Sequence, residues 1–259
     1  MQLRTKALDC LYLNWALPLD EAPALPTPLR YEVHRWKDED WVFVSALLFR
    51  FSGLHLTNLP FLRISYPQMN VRLYVLDDRG RPSVLFRRML VPFWVAPVSR
   101  FLARQPATAA RMQFPDVSES LEEGVWGWKI RRRQRLEVTG RLGSPAVEHG
   151  PDLGPWETTV EYFRNRSRGY VYLDRRLRAI RTSHPPVDAC PLEVELGDVT
   201  LLADSLTNGR TDLWQKPHSA WLCPRIPFVF EVDKPMAAKV LRRRVPAAET
   251  LLASDRIES

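Results

Sequence analysis

The distribution of proline most constrains how this chain can fold. The 259 residues include 22 prolines, which interrupt the sequence at short intervals along most of its length. Proline lacks a backbone N–H, and its ring clashes with the preceding turn of a helix, so it is excluded from helix interiors and from central strands. Short strands joined by turns tolerate such interruptions, whereas long helices do not. The sequence therefore predicts a mostly β protein with minor α content.

Several segments between the prolines have the composition of strands. Residues 31–36 and 41–51 are rich in β-branched and aromatic residues, and an acidic turn at 38–40 separates them. They predict a hairpin. The other strand-like segments are 69–76, 83–91, 124–133, 136–142, 170–173, 177–183, 192–196 and 228–232.

Residues 69–76 alternate with the two-residue period of a strand. One face is apolar and is formed by Val71, Leu73 and Val75. The opposite face is polar and carries Asn70, Arg72 and Tyr74. Alternation separates two faces but does not show which one points into the protein.

Helices are predicted at few places. Residues 93–104 can present an apolar face, although Pro97 makes a regular start doubtful, and residues 158–164 predict a second short helix. Beyond residue 235 aromatic residues are absent, which indicates a peripheral helical or disordered tail over 236–259. Residues 1–235 are then expected to form one β domain.

Composition limits the compartment and the class of protein. Hydrophobic residues make up 45% and charged residues 26%, as expected for a chain with a real core. Cys10, Cys190 and Cys223 lie far apart and form no CxxC pair, so neither a disulfide framework nor a metal site is predicted. No run approaches the roughly 20 apolar residues of a membrane helix, and no signal peptide is evident. We expect a reduced, cytoplasmic protein with no membrane partner.

The net charge of +7 raises the question of a nucleic-acid partner. Trp126 and Trp128 stand close to Arg131, a mixture typical of single-strand binding surfaces. Alternation, however, places both indoles on one face with Ile130, as in a core stripe. The positive charge is spread along the chain with Asp and Glu between, so nucleic-acid binding is the least favoured hypothesis.

Five phrases, taken in this order, resemble the YqjF-like family of bacterial proteins. They are LYLNWALP (11–18), VSALLFRFSG (44–53), PQMNVRLYVLDDRGRPSVLF (67–86), AARM (109–112) and RGYVYLDRRLRAIRTSHPP (168–186). The resemblance covers about residues 8–235. By fold this family is placed with the acetoacetate decarboxylases, which implies a closed, bent antiparallel β-barrel with a small-molecule cavity. Closure also removes the free edges of a sheet. The resemblance allows a homo-oligomer.

The resemblance points to one lysine. Acetoacetate decarboxylases use a Schiff-base lysine, and a second lysine and a nonpolar setting lower its pKa. Lys129 lies in a similar phrase, but no lysine adjoins it and three arginines follow. Those arginines could take the place of the second lysine. The favoured alternative is a strand whose charged side chains, Lys129 included, point to solvent.

The polar face of residues 69–76 offers a binding site. In the resemblance this strand lies where the decarboxylases carry a catalytic glutamate, and here Asn70 and Arg72 stand instead. If the face lines the cavity, Arg72 can bind a carboxylate or phosphate, with Asn70 and Tyr74 as hydrogen-bond partners. Alternatively the face is solvated, or Arg72 pairs with a buried carboxylate.

Two further residues are candidates. Arg111 ends the helical region, in the phrase AARM (109–112), and could direct a cation into the cavity or cap a helix C-terminus. His184 follows a strand and could act as an acid or base near neutral pH, or as a structural hydrogen-bonding group. The other four histidines show no metal-ligand spacing such as HExxH. No cofactor is predicted.

Three functional hypotheses follow, in decreasing order of support. The first is a protein that binds a small anionic or carbonyl-containing molecule through Asn70, Arg72, Tyr74 and Arg111. The second is a lyase with Lys129 as Schiff-base lysine and His184 as a further catalytic candidate. The third is a basic protein associated with nucleic acid. The first requires only the fold and a cavity.

Overall fold

Long runs of β-branched and aromatic residues form most of the structure. The computed structural model describes residues 2–101, 104–117, 124–147, 149–186, 188–232 and 236–237. The helices are α1 (Val95–Phe101), α2 (Trp156–Arg164) and α3 (Thr200–Leu206), with a 3-10 turn at Asp212–Trp214. The strands are β1 (Gln2–Pro18), β2 (Arg30–Tyr31), β3 (Val33–Trp36), β4 (Glu39–Leu56), β5 (Ile64–Leu76), β6 (Pro82–Val91), β7 (Ala107–Ala109), β8 (Arg111–Gln113), β9 (Trp126–Arg131), β10 (Arg135–Leu142), β11 (Arg168–Leu173), β12 (Arg176–Ser183), β13 (Cys190–Leu196), β14 (Ser219–Val232) and β15 (Met236–Ala237).

Seven strands close on themselves in a ring. Their hydrogen-bonded order is β12-β11-β6-β5-β4-β1-β14, and β14 pairs again with β12. The long strands bend where their register shifts, as in β1 beside Asp9, whose φ is 50°. The predicted mostly β class and the closed, bent sheet are confirmed. One junction differs from the predicted antiparallel order, because β11 pairs with β6 in parallel.

A side sheet covers part of the outside of the ring. It runs from β14 through β13, β10 and β9 to β8, and α3 packs with it. Trp126, Trp128 and Ile130 point from β9 into an apolar core shared with Val71 and Leu73 of β5. The predicted core stripe of β9 is therefore confirmed.

Helix α2 packs against the inner face of the ring at one end. Its apolar residues Val160 and Phe163 follow helical spacing and are buried. The Phe163 ring lies 5.1 Å from that of Phe43 on β4, 5.1 Å from that of Tyr74 on β5 and 5.7 Å from that of Trp221 on β14. The helix predicted at 158–164 is present, and it closes this end of the ring.

Some local predictions are wrong. Helix α1 is shorter than the predicted 93–104, and Pro97 lies in its first turn, where the missing N–H costs nothing. Arg111 does not end a helical region, because β7 and β8 are extended there. In the predicted helical tail, Met236–Ala237 is a short strand paired with β12, and residues 238–259 lie outside the described residues. Among the described residues no helix is long and apolar enough to cross a membrane.

Removing the Phe163 side chain should destabilise the protein strongly. Phe163 has no exposed surface, so Phe163→Ala is expected to lower the free energy of unfolding by about 3–5 kcal/mol through lost burial and an unfilled cavity. Phe61→Ala is the matched control, because Phe61 is 74% exposed and should contribute less than about 0.5 kcal/mol. Urea unfolding measures both variants. Equal losses of unfolding free energy in Phe163→Ala and Phe61→Ala would show that the packing of α2 does not stabilise the ring.

Candidate functional site

The ring encloses a cavity of about 430 Å³ at the end away from α2. Side chains from β1, β4, β5, β6, β12, β14 and α1 meet there, which only the interior of the ring permits. Its wall is mainly apolar and includes Phe51, Tyr66, Phe86, Trp94, Ile180 and Phe230. Helix α2 contacts β5 at Tyr74 and closes that end of the ring. Along β5, Gln68 and Asn70 are therefore the polar lining residues of the cavity that lie nearest to α2.

A line of polar side chains follows the inner face of β5 from the cavity to α2. Gln68 Nε2 donates a hydrogen bond of 2.7 Å to Asn70 Oδ1. Farther along, Arg72 Nη2 donates to the Tyr74 hydroxyl at 2.9 Å, and that hydroxyl donates to the Phe163 carbonyl at 3.0 Å. The line therefore links the cavity wall to the helix that closes the ring.

Arg72 is a buried cation. Only 6% of its surface is exposed, and its Nε makes no hydrogen bond within the described part of the chain. The guanidinium lies 5.2 Å from the ring centre of Tyr12 and 5.7 Å from that of Tyr74, both cation–π distances. Among the described residues no carboxylate forms an ion pair with it. A buried charge without a counter-charge is costly.

Burial keeps two acidic groups near Arg72 uncharged. Burial raises the pKa of the Cys10 thiol and that of the Tyr12 hydroxyl well above their ordinary values. Burial opposes the charge of Arg72, but Tyr74, Tyr12 and Cys10 outweigh it and raise the pKa of Arg72. A guanidinium is cationic at neutral pH, and here it lies beside the Tyr12 hydroxyl and the Cys10 thiol, which burial keeps uncharged.

The predicted polar face is brought together inside the ring. Asn70 lines the cavity. Arg72 and Tyr74 do not line it, but they follow Asn70 on the same face of β5, farther inside the ring. The solvated alternative for this face is wrong, because all three residues are buried. The pairing of Arg72 with a buried carboxylate is not observed within the described residues.

The other three predicted site residues lie elsewhere. Arg111 on β8 and Lys129 on β9 are exposed residues of the side sheet. His184 is half-buried beyond β12, with its Nδ1 2.9 Å from the Pro185 carbonyl oxygen and its ring 5.2 Å from that of Phe228. None of the three lines the cavity. Lys129 thus lacks the nonpolar setting that the Schiff-base hypothesis requires, and its predicted solvent-facing alternative is observed.

No lysine of the described residues lines the cavity. The lysines within the described residues are all exposed, namely Lys6, Lys37, Lys129 and Lys216. Lys234 and Lys239 lie outside the described residues. Over the same described ranges, no group of three or more His, Cys, Asp or Glu residues could hold a metal ion.

Sequence reasoning missed several residues of the site. Gln68 extends the alternation of Asn70 and Arg72 by one step toward the N-terminus, so the pattern could have revealed it. Tyr12 and Cys10 belong to β1, and no local pattern shows that this strand crosses the ring opposite Arg72. Trp94 lines the cavity just before α1, in a segment predicted only as an amphipathic helix.

Solved structures with a similar fold include three of the enduracididine biosynthesis enzyme MppR. The form with HEPES buffer bound is 12% identical in sequence, with a TM-score of 0.52 over 93% of this chain and 88% of that one. The form complexed with pyruvate is 11% identical, with a TM-score of 0.51 over 93% and 90%.

An acetoacetate decarboxylase-like enzyme from Sphingomonas wittichii RW1 is also similar in fold. It is 13% identical, with a TM-score of 0.52 over 92% of this chain and 94% of that one. At such identities the likeness concerns the fold alone, and it confirms the predicted acetoacetate-decarboxylase-like architecture.

Comparison by sequence identifies a family. No curated protein is similar enough to match the chain. A family model described as "Uncharacterized conserved protein (COG2071)", DUF2071, matches residues 4–227, which include the whole polar face of β5 and nearly all of the ring. The chain therefore belongs to the DUF2071 family, whose fold is of the acetoacetate-decarboxylase-like type.

Proposed function

We propose that this protein binds a small organic anion or carbonyl compound with an apolar body inside the ring. The observation that carries the proposal is the buried guanidinium of Arg72, which no described carboxylate neutralises and which lies two residues beyond Asn70, a lining residue of a mainly apolar cavity. An anionic ligand would supply the missing counter-charge. Charge-assisted hydrogen bonds to a guanidinium are among the stronger polar contacts in proteins.

The cavity offers a ligand two kinds of surface, one apolar and one polar. Its volume of about 430 Å³ lies in the range of small-molecule sites. Phe51, Phe86 and Phe230 offer aromatic surface to the apolar body of a ligand. At the inner end, the amides of Gln68 and Asn70 offer donors and acceptors to a carbonyl or carboxylate group.

The similar structures support this class of ligand. MppR has been observed with pyruvate and with the condensation product of pyruvate and imidazole 4-carboxaldehyde. Both are small carbonyl-derived molecules in a protein of similar fold. The present cavity is lined by large apolar side chains, so we propose a ligand with a longer apolar body than that of pyruvate.

Substitution of Arg72 should abolish the preference for an anion. Wild-type protein is expected to bind 2-oxooctanoate more tightly than its uncharged methyl ester in isothermal titration calorimetry. Arg72→Met keeps the length of the side chain but removes the charge, and should reduce this preference roughly 10- to 100-fold. Arg88→Met is the matched control, because Arg88 bonds to Ser205 of α3 outside the ring and should leave the preference unchanged.

Circular dichroism and thermal unfolding should establish that both Arg72→Met and Arg88→Met are folded. If Arg72→Met does not fold, Arg72→Lys keeps the charge without the planar fork and should show an intermediate preference. An unchanged ratio of acid to ester affinity in a folded Arg72 variant would disprove the anion role.

No Schiff base with a ring lysine is expected. An imine forms when a neutral amine attacks a carbonyl carbon and water is lost, and borohydride then reduces it to a stable amine. Because the four described lysines are exposed, treatment with pyruvate and borohydride should give no stoichiometric adduct on a single lysine of the native protein. Mass spectrometry of peptides from native and urea-unfolded samples measures this. Stoichiometric labelling of Lys129 in the native sample alone would restore the lyase hypothesis.

A further inference from the structure

The mouth of the cavity is surrounded by exposed apolar side chains. The described residues include twelve large hydrophobic residues that are exposed, and eight of them lie in two short segments. We call these eight residues the rim. They are Leu59, Phe61, Leu62 and Ile64 before and at the start of β5, and Phe93, Trp94, Val98 and Phe101 in and before α1. Phe61, Phe93 and Phe101 are each at least 70% exposed.

The two halves of the rim belong to one surface. Leu62 and Ile64 from one segment and Trp94 and Val98 from the other line the same cavity. Tyr66 joins them, because its ring centre lies 6.0 Å from that of Trp94. The rim is therefore continuous with the inside of the ring. Exposed apolar surface of this extent around a cavity mouth marks an interaction site.

The sequence segments that form the rim are basic. Residues 41–76 and 79–115 contain no Asp or Glu. The interleaving of acidic and basic residues noted for the chain as a whole therefore does not extend to this part of it. Arg63 and Arg100, one in each segment of the rim, are exposed. Arg104 follows α1 and is also exposed, but it lines a separate pocket together with Asp174. Arg63 is held near the turn by a hydrogen bond from its Nε to the Pro60 carbonyl oxygen, at 2.9 Å.

We propose that the rim docks this protein on the surface of a bilayer that contains anionic phospholipid. Aromatic and aliphatic side chains flanked by arginine are the composition that enters the interface between headgroups and acyl chains. Anionic headgroups complement Arg63 and Arg100. The expectation of no membrane partner rested on the lack of a spanning segment. The rim would make this contact at the bilayer surface, so the absence of a spanning helix in the described residues does not oppose it.

A second copy of the chain complements the rim less well. In a two-fold dimer the same patch meets itself, so the arginines of one copy would face those of the other. Residues 41–76 and 79–115 contain no Asp or Glu whose carboxylate could lie between the facing arginines. Docking on the bilayer would also direct the cavity mouth toward the acyl chains. The docking itself does not depend on which ligand the cavity binds.

Vesicle binding tests the proposal. Wild-type protein is expected to co-sediment with vesicles of phosphatidylcholine containing roughly one-third phosphatidylglycerol, and much less with phosphatidylcholine alone. Phe61→Ser with Phe93→Ser should reduce binding at least about tenfold. Arg63→Gln with Arg100→Gln should remove the dependence on phosphatidylglycerol. Val125→Ser is the control, because Val125 is 70% exposed but does not belong to the rim.

All substituted side chains are exposed, so these variants should unfold at the temperature of the wild type. The proposal is overturned if wild-type protein does not bind the anionic vesicles at low salt, or if the Phe61/Phe93 variant binds like the Val125 control. It is also overturned if neither the wild type nor the Phe61/Phe93 variant binds vesicles and light scattering finds that the wild type is a dimer and the variant a monomer. Loss of 2-oxooctanoate binding in Arg72→Met with intact vesicle binding would separate the two sites.

Discussion

The pairing of β14 with β12 creates the interior on which the rest of the structure depends. Four register pairs, from Ile180 with Val232 to Ser183 with Val229, join the two ends of the sheet. Without them the inner face of β5 would be one side of an open sheet, and its polar residues would meet water. Closure places that face in a confined space in which electrostatic interactions are less screened than in water. Strand pairing far along the chain thereby determines the environment of Arg72.

The two ends of this interior are used differently. Helix α2 fills one end with Phe163, and its carbonyl accepts a hydrogen bond from Tyr74. The other end remains open as the cavity, and the rim surrounds it. The polar line on β5 connects a rigid, closed end with an accessible one. A ligand entering from the rim would meet apolar surface first and polar groups last, an order that favours a molecule with one polar end.

The sequence predicted the local patterns well but not the relations between distant strands. The two faces of β5 were evident from alternation, yet a polar face next to an apolar one normally indicates solvent. Both faces are buried here, because Val71 lies under the side sheet and Arg72 lies inside the ring. Only closure explains this, and closure joins β12 to β14 across about 50 residues of sequence and β1 to β14 across more than 200. Helix α3 was missed because it is short and its N-cap residue, Val199, provides no side-chain hydrogen bond. Arg111 was misplaced because the helical pattern of α1 was extended too far.

The position of β1 in the ring has a consequence for synthesis of the chain. Its two neighbours are β4, which follows closely, and β14, whose residues pair with Gln2 through Asn14 from the far end of the domain. One edge of this long strand, with its unpaired N–H and C=O groups, therefore stays open on the ribosome until almost the whole domain has emerged. Such late, non-local pairing slows folding. Of all the strands in the ring, β1 waits longest for its second partner, so the nascent protein is most exposed to wrong partners along its first strand.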